Sequence, residues 1–225
     1  MKKTGFTLAE VLITLAIIGV VATMTLPALM TNTAEQQAKT GLKKVINTLA
    51  TAGEMNSVTP GYDYSTITSN STDDENSQSL FALFMNNTNA DRQLSGLQTA
   101  NTGAGINMGA FSATAANYAV FFRDGTAVSF APAVISSSDD VNEVEPDGMI
   151  HGIPVIVDTN GSKGPNIMSN CSGQPAKVTA ANVEGEEADA CNAKANRVIK
   201  DQFAVRLRGV YAIPNNNASR WAYEN

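Results

Sequence analysis

The first thirty residues constrain the fold of this chain more than any other stretch. Residues 1–5 form a short basic leader, and the only ionisable side chain between residues 6 and 30 is Glu10. Residues 11–26 are almost wholly Val, Leu, Ile, Ala, Gly and Thr. With its flanks this run supplies ~20 mostly apolar residues, enough for a helix to cross ~30 Å of hydrocarbon. A lone acid in such a segment is costly, so Glu10 indicates a function.

The basic leader predicts the orientation of this helix. Lys2 and Lys3 favour a cytoplasmic N-terminus, which would place the rest of the chain outside the cytoplasm. One alternative is a secretory signal peptide cut near Ala22 or Ala28, but such a segment needs no acid and Glu10 opposes its insertion. A buried core helix is a second alternative. The segment is apolar on every face, which argues against it.

The residues around the acid resemble a known signal. Gly5-Phe6-Thr7-Leu8-Ala9-Glu10, the apolar run and Pro27 closely resemble the class III signal of type IV pilins and type II secretion pseudopilins. The resemblance covers about residues 1–50. It implies that a prepilin peptidase cuts between Gly5 and Phe6 on the cytoplasmic side, and that the new amino terminus at Phe6 is N-methylated. Glu10 would become the fifth residue of the mature chain and Pro27 the twenty-second.

Two residues of this segment have expected roles in assembly. A carboxylate in apolar surroundings needs a partner, and the free α-amino group of Phe6 in a neighbouring subunit suits Glu10. This pairing would set the axial register of the subunits in a fibre. The remaining apolar face of the helix would pack against other helices in the fibre core. Pro27 lacks an N–H and can bend or locally melt the helix. The alternative for Pro27 is an ordinary proline tolerated in a membrane helix.

The chain divides into three predicted parts: a leader at residues 1–5, a long helix at 6–53 with its transmembrane part at about 8–30, and an extracytoplasmic globular domain at 54–225. The helix is expected to continue beyond the membrane as an amphipathic half and to stop at Gly53. Its apolar stripe consists of Ala38, Leu42, Val45, Ile46, Leu49 and Ala52.

The sequence of residues 54–225 predicts an α+β domain in which the apolar stripe of the helix packs on an antiparallel sheet of about 3–5 strands. This is the pilin fold that the resemblance implies. The clearest signal is a hairpin, because two β-prone runs flank Asp124-Gly125. The predicted strands are residues 118–122, 127–130, 153–157, 202–207 and 210–213. A short helix is predicted at 79–85, and loops at 56–79, 86–110 and 136–148.

The two cysteines predict a disulfide. An even cysteine count on an extracytoplasmic chain favours a bond between Cys171 and Cys191. It would close nineteen intervening residues and contribute roughly 3 kcal/mol on the chain-entropy model. Free thiols in a reducing compartment are the alternative. Zinc is not expected, because the cysteines lack CxxC spacing and His151 is the only histidine.

A glycine-bearing loop after the third predicted strand has two interpretations. Its Asp, Asn and Ser oxygens could wrap calcium, as some pseudopilins do in this part of the fold. No Glu closes the loop and Lys163 adds a positive charge, so we favour a glycine-rich turn with Asx hydrogen bonds. The candidate calcium ligands are Asp158, Asn160, Ser162, Asn166 and Asp201.

No motif for catalysis is present, and no enzyme activity is expected. The net charge of −6 becomes −8 when Lys2 and Lys3 leave with the leader, so nucleic acid is not an expected partner. The resemblance implies a structural subunit that meets a prepilin peptidase/methyltransferase, other pilins or pseudopilins, and the bacterial inner membrane. Type IV pilus, type II secretion pseudopilus and competence pilus stay open. The alternative from another class is an extracytoplasmic binding protein whose helix is only a tether.

Overall fold

A computed structural model describes residues 5–59, 61–67, 79–94, 118–130, 152–161, 163–173, 191 and 193–225. The chain divides into two compact units, Met1–Gln37 and Ala38–Asn225. Several predictions lie outside the described residues: the structure of the leader at residues 1–4, the loop at 136–148, His151, Ser162 and most of the loop at 86–110.

Helix α1 spans Leu8–Val58 and passes through Pro27. In the first unit the side chains whose burial is described are exposed, apart from Ala22 and Glu35, which are partly covered. α1 includes a window with a mean hydropathy of 2.3, long and apolar enough to cross a membrane, and none of that window is buried. This agrees with the predicted apolar half of the helix.

The second half of α1 packs in the core of the second unit. Every residue of the predicted apolar stripe is at most 7% exposed, because i, i+3, i+4 spacing places them on one face. The same core holds Val120, Val128, Val155 and Val205 from four strands. The predicted packing of an amphipathic helix on an antiparallel sheet is therefore confirmed.

The sheet has six antiparallel strands in sequential order, against the three to five expected. The strands are β1 (Ala90–Leu94), β2 (Tyr118–Phe122), β3 (Ala127–Phe130), β4 (Ile153–Asp158), β5 (Gln202–Arg208) and β6 (Tyr211–Pro214). The extra strand is β1, which lies where a loop was predicted. Its sequence, Ala-Asp-Arg-Gln-Leu, lacks apolar alternation, and it pairs with β2 through a register shift between Ala90 and Arg92.

Helix α1 continues five residues beyond Gly53, where we predicted its end. Gly53 allows close packing rather than ending the helix. A Cβ at this position would lie 2.7 Å from Tyr64 Cε2 and 2.9 Å from the Val210 carbonyl oxygen. Tyr64 is buried and its hydroxyl donates to the Leu49 carbonyl at 2.7 Å, although residues 56–79 were expected to form an exposed loop.

Two short α-helices also lie in the described part of the second unit. α2 spans Leu80–Asn87, close to the predicted 79–85, and Ser79 caps it by accepting from the Ala82 N–H at 2.9 Å. α3 spans Asn217–Glu224 and was not predicted. Asn216 caps α3 by accepting from the Ser219 N–H at 2.8 Å.

Candidate functional site

The start of α1 is organised by Thr7 and Glu10. The backbone N–H and the hydroxyl of Thr7 both donate to Glu10 Oε2 at 2.8 Å, and the Glu10 N–H donates to Thr7 Oγ1 at 3.3 Å. This reciprocal pattern is a capping box, which satisfies N–H groups that the first helical turn leaves without partners. It sets the beginning of α1 at Leu8.

The capping box leaves the predicted cleavage position outside the helix. Gly5 and Phe6 precede α1 and have no regular secondary structure, and the Phe6 side chain is 89% exposed. Glu10 is also exposed, and both of its bonds to Thr7 use Oε2. The arrangement places a non-helical Gly5–Phe6 peptide directly before the helix. The Glu10 carboxylate has a second oxygen, Oε1, that accepts no hydrogen bond from the described residues.

Sequence reasoning missed the part that Thr7 plays. The T-x-x-E spacing of a capping box is readable in the sequence, directly before an apolar run. The cleavage signal overlaps it, because Gly5, Phe6 and Glu10 fall in the same six residues as Thr7.

Pro27 lies inside α1 without interrupting it. Proline has no N–H, so the Thr23 carbonyl lacks its usual donor four residues on. The hydroxyl of Thr31 donates to the Pro27 carbonyl at 3.3 Å. The helix is therefore continuous here but has one backbone hydrogen bond fewer, the condition under which it can bend.

The glycine-bearing turn after β4 is held by the Asp201 carboxylate. Asp201 Oδ2 accepts from the Asn166 N–H at 2.6 Å and from the Asn160 amide at 3.2 Å, and Oδ1 accepts from the Ile167 N–H at 2.9 Å. Gly161 adopts a φ of 65°, and a Cβ there would lie 2.5 Å from the Gly125 carbonyl oxygen. The structure thus brings Asn160, Asn166 and Asp201 together, as the sequence suggested.

Asp158 is the second carboxylate of this turn and is fully buried. Its Oδ1 accepts from the Asn160 N–H at 3.0 Å and its Oδ2 from the Gln202 amide at 3.0 Å. Burial raises the pKa of Asp158 to about 8, and the nearby Asp201 charge adds to the rise, against the effect of these hydrogen bonds.

Hydrogen bonds within the protein hold the turn in its folded form. All four carboxylate oxygens of Asp158 and Asp201 accept hydrogen bonds from N–H groups of the protein, so the negative charge of the turn is stabilised by its own donors. Within the described ranges no group of three or more His, Cys, Asp or Glu could hold a metal. The buried side-chain oxygens of the turn that lack partners are neutral amide oxygens, of Asn160, Asn166 and Gln202. Calcium at these positions stays a prediction, and the hydrogen bonds favour the Asx-type turn.

The predicted disulfide is present. Cys171 and Cys191 are bonded, with their Cα atoms 5.0 Å apart, and both are buried in the core. Backbone hydrogen bonds between Asn170 and Val198, at 2.9 and 3.0 Å, pair the chain before the first cysteine with the chain after the second.

An open groove of about 600 Å³ lies beside the second half of α1. Amide and hydroxyl side chains make up most of its lining. None of the predicted site residues lines it. The lining residues are Lys44, Asn47, Thr48, Thr51, Met55, Asn86, Asn87, Thr88 and Asn89.

Comparison with known proteins identifies the N-terminal segment. Residues 1–26 match the family model described as the prokaryotic N-terminal methylation motif, which is the type IV prepilin/pseudopilin signal. No curated protein and no solved structure matches the chain. The match agrees with the resemblance drawn from Gly5, Phe6 and Glu10, and it marks a type IV pilin- or pseudopilin-like precursor.

Proposed function

We propose that this chain, which begins with a type IV prepilin signal, is a structural subunit of a type IV pilus or a type II secretion pseudopilus. It is cut between Gly5 and Phe6, N-methylated at Phe6 and polymerised through α1. The observation that carries the proposal is the start of α1, where an exposed non-helical Gly5–Phe6 peptide stands directly before a capped helix that presents Glu10.

The same geometry supports a role for Glu10 in assembly. Cleavage would create a positive α-amino group at Phe6, and the family motif at residues 1–26 covers both groups. A carboxylate that enters apolar surroundings gains most from an opposite charge that also donates hydrogen bonds. The α-amino group of a neighbouring subunit is such a partner, and each Glu10–Phe6 contact would fix the axial position of one subunit against the next.

The proposed location is the bacterial inner membrane, crossed once, with residues 38–225 on the extracytoplasmic side. Lys2 and Lys3 support a cytoplasmic N-terminus, and the Cys171–Cys191 disulfide supports an oxidising compartment for the globular unit. The proposed partners are a prepilin peptidase/methyltransferase and other pilin or pseudopilin subunits.

Replacement of Glu10 by Val tests the assembly step. We expect the variant to be cut and methylated, which mass spectrometry of the N-terminus would detect, but to be absent from sheared fibres. Thr14→Val is the matched control, because it also removes a polar group from the apolar half of α1 and should leave assembly intact. Fibres of Glu10→Val at the wild-type level would contradict the proposal.

The Glu10→Val variant also distinguishes a fibre subunit from the alternative, a tethered binding protein. A tethered binding protein would use the polar groove beside α1, and its activity would survive Glu10→Val because the helix would only anchor it. Loss of fibres with the chain still in the membrane favours the subunit. Genes that flank this one, for a secretin or for a retraction ATPase, would then distinguish pseudopilus from pilus.

A further inference from the structure

Trp221 is the only tryptophan of the chain, and two cations lie over its ring. Lys39 Nζ is 4.0 Å from the ring centroid and the Arg197 guanidinium carbon is 4.1 Å from it. Both distances are within the range of a cation–π attraction, which strengthens when the partners are withdrawn from water. Lys39 is 6% exposed and Trp221 is partly buried against the core, so this contact is largely shielded.

The three residues come from three separate parts of the second unit. Lys39 lies in α1, one residue after the point where that unit begins at Ala38. Trp221 lies in α3. Arg197 belongs to the segment that follows the second cysteine, and its Nε is buried without a hydrogen-bond partner. Trp221 thus links the first turn of α1 within this unit to the chain beyond Cys191.

The disulfide restrains the position of Arg197. Cys171 and Cys191 join the two sides of the loop, and the chain on either side is paired through its backbone. Val198 and Asn170 exchange hydrogen bonds at 2.9 and 3.0 Å, and the Gly173 N–H donates to the Asn196 carbonyl at 2.8 Å. Arg197 lies between Asn196 and Val198, so both of its neighbours are tied to the segment that carries Cys171.

We propose that the disulfide, Arg197 and Trp221 form a redox-sensitive clamp on α1 that acts at Lys39. With the disulfide formed, Arg197 is held over the indole, and the indole is held against Lys39. A dithiol that reduces the bond becomes a cyclic disulfide and leaves two thiols, each with one added electron and one added proton. The segment with Arg197 is then held to the Cys171 segment by its backbone hydrogen bonds alone, so Arg197 spends less time over the ring.

The consequence for assembly rests on the proposed function. If α1 joins a fibre, the clamp would fix α1 at Lys39 only when the disulfide is formed. Disulfides form outside the cytoplasm. The clamp itself needs no fibre, so its test uses single chains. Failure of this test would leave the proposed function standing, and failure of fibre assembly would leave the clamp standing.

Hydrogen–deuterium exchange on the full chain in detergent tests the clamp. On reduction with a dithiol, we expect amide exchange in α3 and in the first turn of α1 after Ala38 to rise about fivefold, as for loss of one partly buried cation–π contact. Amides of β4 and β5 should not change and serve as the internal reference. An unchanged rate in α1 and α3 would overturn the proposal.

Variants show whether the effect passes through the ring. In Trp221→Leu, reduction should add nothing to the exchange rate of α1, because the link is already absent. In Lys44→Met, reduction should act as in the wild type, since Lys44 pairs with Asp124 at 3.0 Å rather than with the ring. An equal response to reduction in Trp221→Leu and wild type would overturn the proposal.

A second variant covers the case in which reduction opens the whole unit. Arg197→Met keeps the disulfide and the aliphatic stem but removes the charge. It should raise exchange in α3 and at Lys39 about fivefold in the oxidised protein. Arg197→Lys, which keeps a cation, should restore most of the protection. No change in Arg197→Met would overturn the clamp.

Discussion

The two halves of α1 use the same apolar residue types in opposite surroundings. In the first unit Ile17 and Ile18 are 58% and 63% exposed, whereas Ile46 in the second unit is 4% exposed and Leu49 fully buried. The first half is apolar on every face, and the second half carries one apolar stripe between polar faces. Apolar content alone therefore does not tell what covers a helix. The distribution of apolar residues around the helix indicates what covers it. A helix with one apolar stripe packs on one protein surface, whereas a helix that is apolar on every face is covered by lipid or by other helices.

The largest expected effect comes from cutting a side chain out of the buried stripe. Leu49→Ala should lower the free energy of unfolding of the globular unit by about 2–5 kcal/mol, since it leaves a cavity under the sheet. Denaturant melts of the full chain in detergent, followed by the circular dichroism of the unit's aromatic side chains, would measure this. Ile18→Ala is the control and should leave the midpoint unchanged. A similar loss in both variants would remove the distinction between the halves.

Two of the three glycines in α1 give a sharper test of the same distinction. Nothing lies within 4 Å of a Cβ built at Gly19, whereas one built at Gly53 meets Tyr64 at 2.7 Å. Gly53→Ala should therefore destabilise the globular unit by about 1–3 kcal/mol, despite the better helix propensity of Ala. Gly19→Ala should not lower the stability of that unit. If Gly53→Ala were stabilising, the glycine would not serve the close packing of α1 on Tyr64 and Val210.

The buried Asp158 should make the stability of the second unit depend on pH. Burial raises its pKa from 3.8 to about 8, so the folded chain retains a proton that the unfolded chain releases. This contribution is fully present below the unfolded pKa and is lost as pH rises through about 8. Asp158→Asn stays neutral, so its unfolding free energy should fall less between about pH 4 and 8. Parallel pH profiles for variant and wild type would contradict the raised pKa.

The smallest expected effect is that of calcium. The carboxylates of Asp158 and Asp201 are already satisfied by the turn, so on the order of millimolar calcium should not raise the melting temperature of the full chain. Magnesium at the same concentration is the control for ionic strength. A rise in melting temperature with calcium but not with magnesium, and its absence in Asp201→Asn, would show that calcium replaces these hydrogen bonds.

Patterns that are local in the chain predicted most of the fold correctly. The apolar stripe of α1, the hairpin at Asp124-Gly125 and the strands β4 and β5 follow from periods of 3.6 and 2 and from turn residues. Strand β1 was not predicted because its sequence lacks apolar alternation. Helix α3 was not predicted although its sequence carries two helical signals, the Asn216 cap and apolar residues on one face. β1 is a strand because β2 offers it a hydrogen-bonding edge, and α3 is capped by Asn216 and packs beside β5 and β6.

Sequence by itself determined the signal at residues 1–26, the apolar and amphipathic halves of α1 and the pairing of the two cysteines. These depend on residue type and spacing along one element, or on a pair with a single possible partner. Only the tertiary structure decided the continuation of α1 past Gly53, the full pairing of the Asp158 and Asp201 carboxylates, and the meeting of Lys39 and Arg197 on Trp221. Each of these joins residues far apart in the chain, and their distances are set by the pairing of β4 with β5 and by how the second half of α1 packs on the sheet.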